Sequence, residues 1–250
     1  MLRVRGLSVG FGAEPVLEHV DIDVEAGRFV SLIGPSGSGK TSILRAVTGL
    51  LMPLAGTIEL DASSTDVGFL FQEDALLPWR TARENVALGL RIRGAGAAEA
   101  AEEAERWLAL VGLAGFGGRY PRQLSGGQRK RVAIAQVLAL APRLLLMDEP
   151  FASLDAIVRT RLMEEVLGWV EREHLTVLHV THDLEEAIAA SDVVYVLSQG
   201  PRARVIGRHE VPIERPRSLV ATRHHPAFAP LLDTLWAQLA EDPKTGADAA

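Results

Sequence analysis

The sequence predicts an α/β fold: a mostly parallel sheet covered by helices and interrupted by a helical insertion. Three observations predict it. Short apolar runs alternate with helical patterns in both halves of the chain, the order that produces parallel strands buried under helices. Between about residues 81 and 138 the character is helical throughout, which reads as an insertion between two halves of the sheet. The chain has 250 residues, 48% of them hydrophobic, enough for one large core or two intimate subdomains.

The elements follow in order. Val20, Ile22 and Val24 are interleaved with Asp21, Asp23 and Glu25, the period of two expected of a strand with one wet face. Phe29–Ile33 is continuously apolar and breaks into glycines before a helical segment, Thr41–Gly49. Short strands are expected at Thr57–Leu60 and Val67–Phe71. Ala97–Gly112 places Ala104, Leu108 and Val111 at helical spacing with acids opposite, and a further helix spans Arg129–Leu140. Strand Leu144–Met147, helix Val158–Glu173, strand Thr176–Val180, helix Leu184–Ala190 and strand Val193–Leu197 complete the alternation. A last helix carries Leu231, Leu232, Leu235, Trp236 and Leu239, a face expected to dock on the body, and the chain is expected to be frayed from about Glu241.

Composition excludes several functions. With 26 Lys+Arg against 32 Asp+Glu the net charge is −6, so no general binder of nucleic-acid backbones is expected. The absence of cysteine excludes a disulfide scaffold, a thiolate zinc finger and a cysteine nucleophile. The longest run without a charged side chain, Ala46–Ile58, is 13 residues, short of the roughly 20 that a spanning helix needs. The opening MLRVRGLSV lacks the apolar stretch of a signal peptide, which gives the expectation of a soluble, cytoplasmic protein. Only Lys40, Lys130 and Lys244 among the cations are lysines; elsewhere the chain uses Arg.

Three motifs carry chemistry. Gly34-Pro35-Ser36-Gly37-Ser38-Gly39-Lys40-Thr41 matches G-x-x-x-x-G-K-[ST] and lies between an apolar strand and a helix. Glycines let the backbone wrap a phosphate and aim N–H groups inward, and the helix N-terminus adds its partial positive charge. Lys40 would reach the β- and γ-phosphates of a nucleotide, and the Thr41 hydroxyl would ligate magnesium. Chance supplies about 0.002 such matches in a chain of this composition. The second motif, Leu144–Glu149, is an apolar strand ending in two carboxylates. Asp148 suits a nucleotide-bound magnesium, and Glu149 an attacking water as general base. Strands also end in acids because loops are wet, but the phosphate loop favours the chemical reading. The third, Leu124-Ser125-Gly126-Gly127-Gln128, is either an ordinary helix cap or a second anion site at a helix N-terminus.

Phosphate loop, LSGGQ and LLLMDEP in this order resemble the ATP-binding-cassette (ABC) ATPases over nearly the whole chain. The resemblance implies a phosphate-loop (RecA-like), mostly parallel sheet core with an N-terminal antiparallel β subdomain and an inserted α-helical subdomain. A single ABC domain would span about residues 1–240: core and β parts near 1–78 and 140–210, helical subdomain 79–139 and tail 211–240, with 241–250 expected to be disordered. ATP and Mg2+ are the implied ligands, with Ser42 completing the phosphate loop. The signature Ser125, Gly126, Gly127 and Gln128 would close over the γ-phosphate held by a second copy in a head-to-tail dimer, which favours the anion reading of that segment. Gln72 matches the Q-loop glutamine that contacts magnesium and the attacking water. Ser153-Leu154-Asp155 matches the D-loop at the dimer interface, and His182 the switch histidine that orients Glu149. Phe11 stands where the family stacks a tyrosine on adenine.

One cassette without a membrane span resembles the separate ATPase subunit of a bacterial importer. Such a subunit works on the inner face of the membrane with permease subunits and, indirectly, a solute-binding protein. The segment Phe71–Val86 is closest to the nitrate, sulfonate and taurine subfamily. Leu76, Leu77, Pro78 and Trp79 either contact the permease or pack the loop onto the helical insertion. The alternatives are an importer for another small solute, or a non-transport cassette ATPase of the DNA-repair or translation type.

Overall fold

The computed structural model of the protein describes residues 1–11, 14–61, 63 and 66–240, with the main chain alone at Phe11. The chain divides into two compact units, residues 1–64 with 164–250, and residues 65–163.

The first unit holds an antiparallel sheet of β1 (Leu2–Phe11), β2 (Glu14–Val24) and β4 (Ala55–Leu60), with β1 in the centre. Val4 pairs with Ile22 on one side and Ile58 on the other. Along β2, Val20, Ile22 and Val24 are buried while Asp21 and Asp23 are exposed, the predicted wet-face alternation. The same unit contains β7 (Thr176–Val180), β3 (Phe29–Ile33), β8 (Val193–Leu197) and β9 (Val205–Glu210), in that spatial order. β3 runs parallel to both β7 and β8, and every residue of these three strands is buried, as strands covered on both faces require. β9 lies antiparallel on β8 and alternates half-buried with exposed residues. Helix α1 (Lys40–Val47) follows β3, and α6 (Leu184–Ala190) leads from β7 to β8 while packing on β3.

Helix α7 (Phe228–Ala240) packs on α6. Its docking line differs from the predicted face: Phe228 and Leu235 are buried, whereas Trp236 is 60% exposed. Residues 228 and 235 are two turns apart and stack in one line, while residue 236 is rotated a further ~100° away from it.

The second unit pairs β5 (Val67–Leu70) with β6 (Leu144–Asp148) in parallel and packs α2 (Ala82–Ile92), α3 (Ala97–Leu110) and α4 (Gly126–Leu138) against one another. Ala100, Ala104 and Leu108 form the fully buried stripe of α3. A capping box starts α2: Glu84 N–H donates to Thr81 Oγ1 at 3.3 Å, and Thr81 N–H to Glu84 Oε2 at 2.8 Å. The division between the units falls within α5 (Ala156–Arg172). No helix among the described residues is long and apolar enough to cross a membrane.

Candidate functional site

In the first unit, β3 delivers the chain into the loop Gly34–Gly39. Gly39 caps α1 in the left-handed region (φ 86°), and a Cβ there would stand 2.7 Å from Leu17 Cδ2, so glycine alone suits the position. Helix α1 has no side-chain cap and no acid in its first turn, which leaves its positive end for the loop. Lys40 is buried and donates from Nζ to Gly34 O at 2.7 Å and Pro35 O at 2.9 Å. Ser38 is fully buried and its Oγ lacks a hydrogen-bond partner. An orphaned hydroxyl, an uncapped helix start and an ammonium at two loop carbonyls fit a bound phosphate. Thr41 and Ser42 open the same helix, Ser42 buried and Thr41 half-buried.

β7 ends beside β3, with Val180 level with Leu32, so the turn carrying His182 leaves the same edge of the sheet as the phosphate loop. Asp183 N–H donates to Thr181 Oγ1 at 3.0 Å, and Glu186 N–H to Asp183 Oδ1 at 3.0 Å. These bonds fix the turn around an exposed His182. Beneath it, buried His179 Nδ1 lies 3.2 Å from Ser31 Oγ, which accepts from Ser191 Oγ at 2.6 Å.

In the second unit, Leu70 is level with Met147, so Gln72 and the pair Asp148–Glu149 leave paired strands at one edge. Asp148 is buried; Glu149 is half-buried with φ 42°, a left-handed conformation that costs an L-residue about 1–2 kcal/mol and marks functional turns. Asp155 Oδ1 accepts from Val158 N–H at 3.0 Å at the start of α5.

The cap reading of the signature describes a bond network that exists. Gln128 N–H donates to Ser125 Oγ at 3.3 Å and Ser125 N–H to Gln128 Oε1 at 2.9 Å. Gly126 and Gly127 form the first turn of α4, which begins three residues before the predicted Arg129. Adenine stacking by Phe11 rests on a side chain outside the described residues, as does the frayed end from Glu241.

Two residues escaped the sequence reading. Asn85 is fully buried, accepts Leu77 N–H on Oδ1 at 2.8 Å, and donates from Nδ2 to Leu77 O, Arg80 O and Thr81 O. It thereby shapes the loop that leaves Trp79 71% exposed. Lys130, to which the sequence assigns no consequence, is 1% exposed and donates to Phe71 O at 3.3 Å and Gln72 O at 3.1 Å. Burial pulls its ammonium below the usual lysine range, with Asp74 opposing. The rarity of lysine in the chain was the available signal.

The ABC transporter family model matches residues 17–152. The bicarbonate transport ATP-binding protein CmpC of Synechococcus elongatus is 41% identical over 219 residues, covering 85% of this chain and 33% of its own length. The chain thus spans about a third of that relative. The nitrate import ATP-binding protein NrtD of Synechocystis sp. is 42% identical over 195 residues, 76% of this chain and 73% of its own. The dimeric ATP-binding cassette MJ0796 bound to ADP and Pi superposes with a TM-score of 0.76 at 32% identity, over 86% of this chain and all of that one. Fold, phosphate loop and these likenesses agree: the chain belongs to the ABC transporter family of ATP-binding cassettes.

Proposed function

We propose that this chain hydrolyses ATP to ADP and phosphate to energise a bacterial importer for a small anion. The observation that carries the reading is the loop Gly34–Thr41, with its uncapped helix start, orphaned Ser38 hydroxyl and Lys40 ammonium. In this reading the loop N–H groups and Lys40 hold the β- and γ-phosphates. Glu149 accepts a proton from the attacking water, Gln72 contacts that water, and His182 holds the γ-phosphate and orients Glu149. Ser125–Gln128 of a second copy face the γ-phosphate, so hydrolysis is tied to a head-to-tail dimer with Asp155 at its seam. Thr41, Gln72 and Asp148 offer the hard oxygen donors that Mg2+ takes. Held by these residues, Mg2+ would supply charge neutralisation to the phosphate oxygens during transfer.

The exposed Trp79, on a loop already ordered by Asn85, supports docking of a permease segment over simple loop packing. In this reading the chain works on the cytoplasmic face of a membrane, with a solute-binding protein acting through the permease and no nucleic-acid partner. Relatives named for bicarbonate and nitrate support a small oxyanion as solute. The test is phosphate release from ATP and Mg2+ by the full chain, alone and with its co-expressed permease. Hydrolysis that Lys40→Ala abolishes is expected; a Lys40→Ala chain as active as the parent overturns the reading.

A further inference from the structure

Arg129 and Lys130 join two motif segments through one acid. Asp74 Oδ2 accepts from Arg129 Nε at 2.9 Å, and Asp74 Oδ1 lies 3.1 Å from Lys130 Nζ. Arg129 Nη1 donates to Leu124 O at 2.9 Å, immediately before the signature Ser125–Gln128. Lys130 Nζ also reaches the carbonyls of Phe71 and Gln72. The contacts therefore run without a break from the signature to the main chain that bears the exposed Gln72 side chain. A buried ammonium is an expensive way to obtain stability, since an apolar side chain of like volume would avoid its desolvation. What it supplies is geometry: three donors that converge on carbonyls from one point.

We infer that Lys130 is a positioning residue for hydrolysis: it fixes the main chain at Gln72 relative to the signature segment, so that the two act as one piece. The inference rests on the proposed ATPase activity. Its effect falls on turnover and spares nucleotide affinity, because its polar contacts are with Phe71, Gln72 and Asp74.

The experiment compares steady-state ATP hydrolysis by the full-length parent, Lys130→Met and Lys130→Gln. Methionine and glutamine are both uncharged and of similar size, but only glutamine carries donors for the two carbonyls. Lys130→Met is expected to lower kcat about tenfold or more, with KM for ATP within about threefold, because small displacements of a positioning group cost this much. Lys130→Gln is expected to recover at least about a third of the parent kcat. Parent-like kcat in both variants, or equal losses in both, overturns the inference. If Lys130→Met does not fold by circular dichroism, Asp74→Ala decides: a severalfold loss of kcat at unchanged KM supports the tie, and parental kcat overturns it. A parent that hydrolyses no ATP, with or without permease, overturns the proposed function and the inference with it.

Discussion

Replacing Asp192 by Ala should destabilise the first unit by about 4 kcal/mol. Asp192 is 4% exposed. Its Oδ2 accepts Phe29 N–H at 2.8 Å, at the first residue of β3, and its Oδ1 accepts from Arg217 Nη1 at 2.9 Å and Arg215 Nε at 3.2 Å. Its main chain also bonds Phe29 O and Val211 N–H, so one residue fastens the phosphate-loop strand to the segment 211–217. Alanine leaves the Arg217 guanidinium, 5% exposed, bonded to Ile213 O but without its paired carboxylate, a loss of about 3–5 kcal/mol. The orphaned Phe29 N–H adds about 1–3 kcal/mol, less where water or the arginines relax, so about 4 kcal/mol is the working figure. For a chain of this length that lowers Tm by roughly 8–16 °C. Asp192→Asn keeps an acceptor for Phe29 N–H but not the charge that Arg217 pairs with, so it should cost about 3 kcal/mol, about 1 kcal/mol less than alanine. The assay is urea denaturation of parent and both variants. A loss below about 1 kcal/mol in Asp192→Ala, or equal losses in both, refutes the reasoning. Burial alone pushes the Asp192 carboxyl up, but Phe29 N–H, Arg215 and Arg217 outweigh it and hold it below the usual range. A carboxyl lowered on folding stabilises above its unfolded pKa and loses that stability as pH falls through its folded pKa. The gap between parent and Asp192→Asn should therefore be full above about pH 5 and close on further acidification.

Glu149→Gln should slow phosphate release at least about a hundredfold while ATP still binds by calorimetry, since a general base contributes about 10²–10⁴. Lys40→Ala should weaken ATP binding about 10–100-fold, the worth of a charge-assisted contact of about 1.5–3 kcal/mol; unchanged affinity in calorimetry removes Lys40 from the phosphate. Asn85→Ala strips Leu77 N–H and Arg80 O of their partner, while Leu77 O and Thr81 O keep backbone donors, so it should destabilise the second unit by about 2–3 kcal/mol and speed hydrogen exchange at the Leu77 amide.

Strands were legible where both faces are covered, because burial leaves no choice but apolar residues: β3, β6, β7 and β8 all stand where the sequence reading put them. β9 was not, since an edge strand that alternates half-buried and exposed residues around Gly207 carries little apolar signal. The start of α4 was read late because two glycines argue against a helix; the reciprocal bonds of Ser125 and Gln128 offset that cost. The phosphate loop was legible because its backbone demands glycine. The strained turn at Glu149 was not, because nothing in a glutamate announces a positive φ. Nor was the setting of Lys130, two of whose partners are main-chain carbonyls, which have no sequence identity, on a segment far away in the chain.

Lys40 and Lys130, two of the chain's three lysines, meet the same kind of acceptor. Most of the carboxylates described are held by Arg: Arg215 and Arg217 share Asp192, Arg202 and Arg204 share Glu18, and Arg129 holds Asp74 together with Lys130. A planar fork matches a carboxylate's two oxygens. Lys40 and Lys130, by contrast, are both buried and both set against pairs of consecutive carbonyls, Gly34–Pro35 and Phe71–Gln72. At each of these sites a single Nζ reaches both carbonyls, which suits the three donors an ammonium carries on one atom at the end of a slim stem. Each of these pairs lies where a strand gives way to a loop, just beyond β3 and just beyond β5. The two lysines thus occupy the two strand exits of their respective units that carry phosphate-loop and Q-loop residues. At both exits one ammonium ties two successive main-chain carbonyls, a role that a count of net charge does not reveal.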